Sequence, residues 1–526
     1  MPERTDLRGG AGGGRLALLV PFLAGVVASL PFQKHVPGAF VLFSLVPFLL
    51  ILRSESRDRS LFRALRTGWL FGFGFFLALL YWVALLAETE IPVRAIAAGG
   101  YLLLSAYLAF FPGLFAAALR LGSRRFPAFL LAPVLWGVLE YLRASGPLGF
   151  PWGAPGYALI EYASLVQIAR LGGVDAVTFA VVAVNALVAE GMVGFARERP
   201  RTGVAAFAAA ALLLFGIGLD GVRAVRSKIR AEGRPLRIAV VQPDISAEKK
   251  WDEDYKEKSI EILGGLTREA AEREGPLDLA VWPETGVPAY VLHEHRYLRM
   301  ILEVVEETGV PLLFGFPNAE YRVETGYEYY NSAMLLDREG RSVGEYRKIH
   351  LVPFGERLPL HGKVGWITDL NFGEADFNPG TSYTVFPLGG TSFSANICFE
   401  AIFPPLIRRF AREGSRFLVN LTNDAWFGTT AAPHQHAAMA RMRSVETGLF
   451  LARSANTGIS LIADPRGRVL KSIGLFERGA VTAEILPVRS RTFSVRHGDW
   501  LPAVEAALAA IFLLLSPASR RRTLLF

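Results

Sequence analysis

The chain holds a single cysteine, Cys398, set in Asn396-Ile397-Cys398-Phe399-Glu400. It closes an apolar run that reads as a strand, and a helical pattern starts near Ala401. A thiol at such a turn faces backbone N–H groups and the positive end of a helix dipole, which favour the thiolate. The plainer reading is a small buried hydrophobe. Against it, an unpaired thiol in an outward-facing domain carries a risk of oxidation and mispairing, which argues for a use as nucleophile. One cysteine also excludes an intramolecular disulfide framework and any Cys-based zinc or iron–sulfur site.

A thiol nucleophile needs a base and a group to hold an oxyanion. In Val281-Trp282-Pro283-Glu284-Thr285 an apolar strand runs straight into a carboxylate. Beside buried Trp and Pro, Glu284 would be pushed toward a useful range for a base. In Tyr346-Arg347-Lys348-Ile349-His350-Leu351-Val352-Pro353-Phe354-Gly355-Glu356 one lysine precedes an unusually apolar stretch. Taken singly, Glu284 reads as a solvated turn residue and Lys348 as a surface lysine. His434 and His436 form an H-x-H, but with no matching carboxylate pair they read as helix-start residues rather than metal ligands.

The elements that must position these groups divide the chain in two. Its 526 residues are 52% hydrophobic and 20% charged, too apolar for a wholly soluble protein and too long for one ordinary domain. A membrane-spanning helix needs roughly 20 apolar residues. Runs 16–33, 35–52, 67–87, 95–119 and 202–219 contain no charged residue, and 126–142, 171–189 and 500–519 contain one acid each (Glu140, Asp175, Glu505). Eight transmembrane helices are expected. The first resembles a signal peptide, but a second apolar run follows at once, so a retained helix is expected. Short β-branched or apolar runs at 236–241, 277–282, 311–316, 392–397 and 417–421 alternate with helical patterns near 252–273, 295–307, 402–413 and 435–449, which predicts an extramembrane α/β domain of layered sheets and helices.

Charge gives orientation. Residues 1–230 carry 22 Lys/Arg and 12 Asp/Glu, a net of +10. With Arg520, Arg521 and Arg522 added, the overall +8 leaves −5 for residues 231–519. The basic excess therefore belongs to the hydrophobic part, which argues against nucleic-acid binding and for positive loops beside membrane spans. Every second loop is basic, starting with Arg4, Arg8 and Arg15, so both termini are expected in the cytoplasm and the polar domain outside. Glu140, Arg143, Asp175 and Glu505 then lie at outer span ends, where interfacial snorkelling is the plain account.

Taken together and in this order, the stretches around Glu284, Lys348 and Cys398 resemble the Glu-Lys-Cys triad of the nitrilase superfamily, the carbon–nitrogen hydrolases. With the eight spans, one of them after the domain, the whole chain resembles its membrane-embedded branch, the apolipoprotein N-acyltransferase family. Gly149-Phe150-Pro151-Trp152, Trp251 and Leu421-Thr422-Asn423-Asp424-Ala425-Trp426-Phe427-Gly428 belong to that likeness. It implies an eight-helix membrane domain plus a nitrilase-like αββα sandwich, divided as 1–222, 223–495 and 496–526. It implies acyl transfer from a phospholipid to the α-amino group of a diacylglyceryl-modified apolipoprotein, through a Cys398 thioester, at the bacterial inner membrane with a periplasmic catalytic domain and without metal or other cofactor.

The same resemblance assigns Glu284 as base and Lys348 with the Phe399 backbone N–H as oxyanion donors. Glu356 and Glu400 would orient Lys348 and keep it charged. The family often has Tyr where this chain has Phe399, so no phenol role carries over. Trp251, Trp366, Leu370, Phe372, Trp426, Phe427, Trp152 and Arg143 are expected to bind substrate or form a cover, with segment 358–379 as lid and Arg143 near a lipid head group. Two alternatives stand beside this: a membrane-anchored amidase or nitrilase using water as acceptor, and a transporter, which would place charges in mid-span.

Overall fold

The computed structural model describes residues 11–55, 60–86, 94–246, 252–357 and 377–516. A helix stands on each of the eight apolar runs. The first seven positions are held by α1 (Ala11–Ser29), α2 (Val46–Ser54), α3 (Leu61–Leu79), α4 (Arg94–Gly122), α5 (Ala128–Ala144), α6 (Ala169–Ala196) and α7 (Pro200–Arg226), and Trp500–Leu514 forms the last. Among the described residues, three helices are long and apolar enough to cross a membrane: Ala97–Gly122, Ala169–Ala196 and Pro200–Arg226. Leu18–Phe32, Gly38–Ser54 and Trp500–Leu514 are shorter apolar helical stretches.

The run at 35–52 is not one helix. It breaks into a 3₁₀ turn Gly38–Phe40, a short helix Val41–Ser44 and α2. Pro47 has no N–H to give and its ring crowds the carbonyl one turn back, so the ladder opens there. Asn185 of α6 takes up groups at the break: Leu45 N donates to Asn185 Oδ1 at 2.9 Å, and Asn185 Nδ2 donates to Val41 O at 2.9 Å. Tight backbone approach holds the bundle elsewhere; a Cβ at Gly68 of α3 would stand 2.2 Å from Pro112 O of α4.

Between α7 and the last helix lies the αββα sandwich. Among the described residues its twelve strands are β1 (Leu236–Gln242), β2 (Leu279–Val281), β3 (Leu312–Arg322), β4 (Gly326–Leu336), β5 (Ser342–Arg347), β6 (Phe386–Leu388), β7 (Thr391–Ile397), β8 (Phe417–Thr422), β9 (Phe450–Ala455), β10 (Ser460–Ala463), β11 (Val469–Ile473) and β12 (Gly479–Ile485). They form two six-stranded sheets, β12-β1-β2-β3-β4-β5 and β11-β10-β9-β8-β7-β6. In each, three adjacent strands run parallel: β1, β2 and β3, and β7, β8 and β9.

Alternation along β1 builds the layers. Ala239 and Val241 pack with Ile260 and Leu263 of α8 (Glu253–Glu274) and Ile301 of α9 (His295–Thr308). Ile238 and Val240 face the other way, into a core shared with Ile397, Leu418 and Leu451 of the second sheet. That core continues through α10 (Pro404–Arg412) and α11 (Ala432–Thr447) into the membrane helices. Polar links stitch the same seam: Val174 N donates to Glu446 Oε1 at 2.7 Å, and Arg408 pairs with Asp499.

Candidate active site

The carboxyl ends of the parallel strands converge, the usual place for a site in such sheets. Glu284 lies just beyond β2, Lys348 directly follows β5, Cys398 directly follows β7 and Asn423 directly follows β8. Glu284 is held in place by Trp282, whose ring is fully buried and whose Nε1 donates to Thr267 Oγ1 of α8 at 2.9 Å.

Glu284 and Lys348 are both buried, at 5% and 1% exposure, so neither charge could persist unpaired. Lys348 Nζ lies 3.1 Å from Glu284 Oε1 and 2.8 Å from Glu356 Oε1. Asn331 of β4 donates Nδ2 to both carboxylates, at 2.8 and 2.9 Å, and Asn423 N donates to Glu284 Oε2 at 2.9 Å. Val352 N caps Glu356 Oε2 at 2.8 Å. Burial alone would pull the Lys348 ammonium down; Glu284 and Glu356, then Cys398, outweigh it and hold it above the ordinary lysine value.

Cys398 stands in the left-handed region, φ +48°, where a residue with a Cβ is strained. Thr285, next to Glu284, has φ +46°, and Phe354, two residues before Glu356, has φ +66°. Strain of about 1–3 kcal/mol per residue concentrated in this way belongs to functional sites. The thiol does not have the environment expected from a helix start. The turn after it, Cys398–Ile402, is 3₁₀, and α10 begins only at Pro404. Burial, and next the Glu284 carboxylate, push the thiol up; Lys348 opposes them. The resting group is the neutral thiol.

Glu400 does a different job from Glu356. Its Oε1 accepts from Tyr346 Oη at 2.7 Å, Ile349 N at 2.7 Å and His350 N at 3.0 Å, and its Oε2 accepts from Ile397 N at 2.7 Å. It therefore sews the Lys348 loop to the strand that carries Cys398. Burial raises Glu400 above the ordinary value while these donors pull it down.

Trp152 is buried and donates Nε1 to Gln435 Oε1 of α11 at 2.7 Å, so the Gly149–Trp152 loop docks against the catalytic domain. Arg143 is turned inward, 3% exposed: its Nη1 donates to Phe150 O at 2.5 Å and Trp152 O at 2.7 Å, and it pairs with Glu140. What it holds here is that loop. Trp426 and Phe427 are half-buried, and the Phe427 ring meets Trp82 edge-on at 4.9 Å. Trp251, Trp366, Leu370 and Phe372, with positions 358–376 of the expected lid, lie outside the described residues.

Sequence reading missed Asn331, which lies in a strand without local signal, and the role of His436. That ring is buried, with Nδ1 2.9 Å from Asp424 Oδ1 and Nε2 3.1 Å from Cys398 O.

A buried Glu, Lys and Cys at the strand ends of an αββα sandwich define a carbon–nitrogen hydrolase type of catalytic domain, and the signature of the carbon–nitrogen hydrolase family matches residues 237–493. That of the apolipoprotein N-acyltransferase N-terminal domain matches 24–187. The chain is 34% identical over 498 residues to the apolipoprotein N-acyltransferase of Geobacter metallireducens, covering 94% of each. It is 35% identical over 537 residues to that of Brucella melitensis, covering 96% of each. A solved member of branch 10 of the nitrilase superfamily from Saccharomyces cerevisiae is similar at 17% identity and a TM-score of 0.38, over 56% of this chain and 100% of that one. The chain belongs to the apolipoprotein N-acyltransferase family.

Proposed function

We propose that the chain moves an acyl group from a membrane phospholipid to the α-amino group of the diacylglyceryl-cysteine that begins an apolipoprotein, by way of a thioester on Cys398. The observation that carries this is the buried contact of Glu284 with Lys348 beside a strained Cys398, in a domain whose core runs on into apolar helices. As Cys398 Sγ attacks the phospholipid ester carbonyl, its proton passes to Glu284. The oxyanion forms between the Lys348 ammonium and the Phe399 N–H, which sits at the start of a 3₁₀ turn where N–H groups have no partner within the turn. Collapse breaks the ester C–O bond; the lysophospholipid leaves with the proton from Glu284. The lipoprotein amine then attacks the thioester, gives its proton to Glu284, and the C–S bond breaks to restore the thiol and leave an amide.

Glu356 keeps the Lys348 charge from being lost on burial, and Glu400 fixes the distance between the Lys348 loop and Cys398. The reading extends to the membrane part: eight spans, both termini in the cytoplasm, a periplasmic catalytic domain in the bacterial inner membrane, and boundaries at 1–222, 223–495 and 496–526. It is supported by the alternation of basic loops. Water as acceptor is not favoured, since the relatives matched over nearly the whole chain are named for acyl transfer.

Mass spectrometry of the purified protein after mixing with phospholipid tests it. An acyl group is expected on Cys398 and absent from Cys398→Ala, together with a loss of lipoprotein acylation on the order of 10³-fold or more in that folded variant. An unacylated parent protein that still transfers would overturn the covalent route.

A further inference from the structure

His436 is the part of this site that the Glu-Lys-Cys chemistry leaves unused. It lies in the second turn of α11, 1% exposed, with its ring centroid 6.0 Å from that of Trp152 and 6.3 Å from that of Phe427. Polar groups at both ring nitrogens fix its orientation, Nδ1 making one bond, to Asp424 or from Arg453, and Nε2 another. Asp424 Oδ1 lies 2.9 Å from Nδ1, Arg453 Nη2 lies 3.2 Å from the same nitrogen, and Cys398 O lies 3.1 Å from Nε2. A carbonyl oxygen only accepts, so Nε2 must carry the proton and donate it to Cys398. Asp424 is itself anchored: Arg453 Nη2 is 2.6 Å from Oδ2, and Thr422 Oγ1 donates to Oδ1 at 3.1 Å. Cys398, Asp424 and His436 offer ligand atoms within 4.8 Å of one another, but the buried Arg453 guanidinium already supplies the positive charge there, so the set does not suit a cation.

The consequence lies in the peptide between Cys398 and Phe399. In a trans peptide the C=O and the N–H point in opposite directions. Drawing the Cys398 carbonyl toward His436 therefore turns the Phe399 N–H away from α11, and it holds Cys398 at its left-handed φ of +48°. Resting on the acyl-transfer reading above, we propose that His436 is a positioning residue for this reaction. Its Nε2–H bond to the Cys398 carbonyl fixes the one peptide that aims both the thiol and the oxyanion donor. The neighbouring Gln435 ties this clamp to the membrane domain, accepting from Trp152 Nε1 at 2.7 Å and donating to Phe32 O at 3.2 Å.

Two variants separate this role from simple support of the fold. Gln places an N–H donor where Nε2 stands and can keep the bond to Cys398 O; Asn reaches only as far as Nδ1 and can keep the Asp424 contact alone. In the full-length protein in phospholipid vesicles, His436→Asn is expected to slow thioester formation on Cys398 about 10²-fold, the cost of misplacing a reacting group by about 1 Å, with KM for phospholipid unchanged. His436→Gln is expected to stay within about tenfold of the parent. Equal rates in the two variants, or His436→Asn at the parent rate, would overturn the proposal. If His436→Asn does not fold, His436→Met, similar in length but without a donor, replaces it: the same 10²-fold loss supports the clamp, and the parent rate removes it. A parent protein that forms no thioester sinks the acyl-transfer reading and this inference with it; a parent that does, beside an undisturbed Asn variant, sinks this inference alone.

Discussion

Lys348 Nζ meets Glu284 through one carboxylate oxygen, Oε1 at 3.1 Å, while Asn423 N holds the other at 2.9 Å. The carboxylate thus has one oxygen committed to the ammonium and one to the backbone beyond β8, and its plane is fixed before any substrate arrives. In the acyl-transfer reading proposed above, a base held in this way would spend no reorganisation when the thiol proton reaches it.

Glu284→Gln keeps the size of the group and removes the base. Its amide must also present an NH₂ either to Lys348 or to Asn423 N, donor against donor, so the local geometry suffers as well. Both thioester formation and its aminolysis are expected to fail. Lys348→Ala loses one oxyanion donor and should fall by roughly 10²- to 10³-fold, mostly in kcat. Single-turnover measurement of thioester formation followed by addition of acceptor separates the two steps. A Glu284→Gln variant that forms thioester at the parent rate would assign the base elsewhere.

The thiol offers a pH test. Burial and Glu284 push Cys398 up, so the group stays protonated where an ordinary cysteine, at about 8.5, would already ionise. The rate of alkylation by a small neutral reagent should show no inflection near that value. Glu284→Gln removes the second of those causes, so the inflection is expected to move down toward the ordinary range. The same sign applies to stability: the unfolded thiol releases its proton above about 8.5 while the native one keeps it, so this group costs stability as pH rises past that point. An alkylation profile with the inflection of free cysteine would contradict the environment described for Cys398.

Much of this site was legible in the sequence for a reason of chain geometry. Glu284 and Cys398 each sit at the end of a run whose β-branched or apolar residues announce a strand, and β1, β2, β3, β7 and β8 lie where such runs do; β5, which leads into Lys348, has no such run, and Lys348 is marked only by the apolar stretch that follows it. Asn331 was invisible because its work is done across space: it lies within β4, whose outer half alternates half-buried and exposed residues, and it meets Glu284 and Glu356 from 47 and 25 positions away. The eight apolar runs gave the helices but not their breaks. Pro47 stands at the break in the run at 35–52, where Leu45 N and Val41 O are met by Asn185, which no local pattern ties to residue 45.

Glu400 gives a stability prediction. Its two oxygens accept from Tyr346 Oη and from three backbone N–H groups, that of Ile397 in the interior and those of Ile349 and His350 partly buried. Glu400→Ala strands the buried Ile397 N–H and the partly buried Ile349 and His350 N–H groups, at up to about 1 kcal/mol each, so a loss of about 2 kcal/mol is expected. Glu400→Gln can satisfy one side only, because its NH₂ must face a donor on the other. Thermal unfolding in detergent should rank the parent first, then Gln, then Ala. Lysine positioning should fail with it, since Ile349 and His350 directly follow Lys348. An Ala variant that melts with the parent would show that Glu400 is not the pin between the two strand ends.

The last test lies at a residue with no chemistry of its own. Gly315 in β3 runs beside the strand end that carries Glu284, and Trp282 N bonds to Leu313 O at 2.9 Å while Val287 N bonds to Gly315 O at 3.1 Å. A Cβ at 315 would stand 2.6 Å from Pro283 O, 2.8 Å from Glu284 Cα and 2.8 Å from Thr285 N. All three are backbone atoms, so nothing can swing aside. Gly315→Ala must shift either β3 or the Pro283–Thr285 turn, and the turn is the weaker partner, since Thr285 already holds φ +46°. A displacement near 1 Å is expected to cost about 10²-fold in kcat with phospholipid KM little changed, because the base moves and the lipid-facing parts do not. Steady-state kinetics beside a circular dichroism melt checks it. Retained kcat in a folded Gly315→Ala protein would show that the Glu284 turn has slack and that its position tolerates more than this geometry allows.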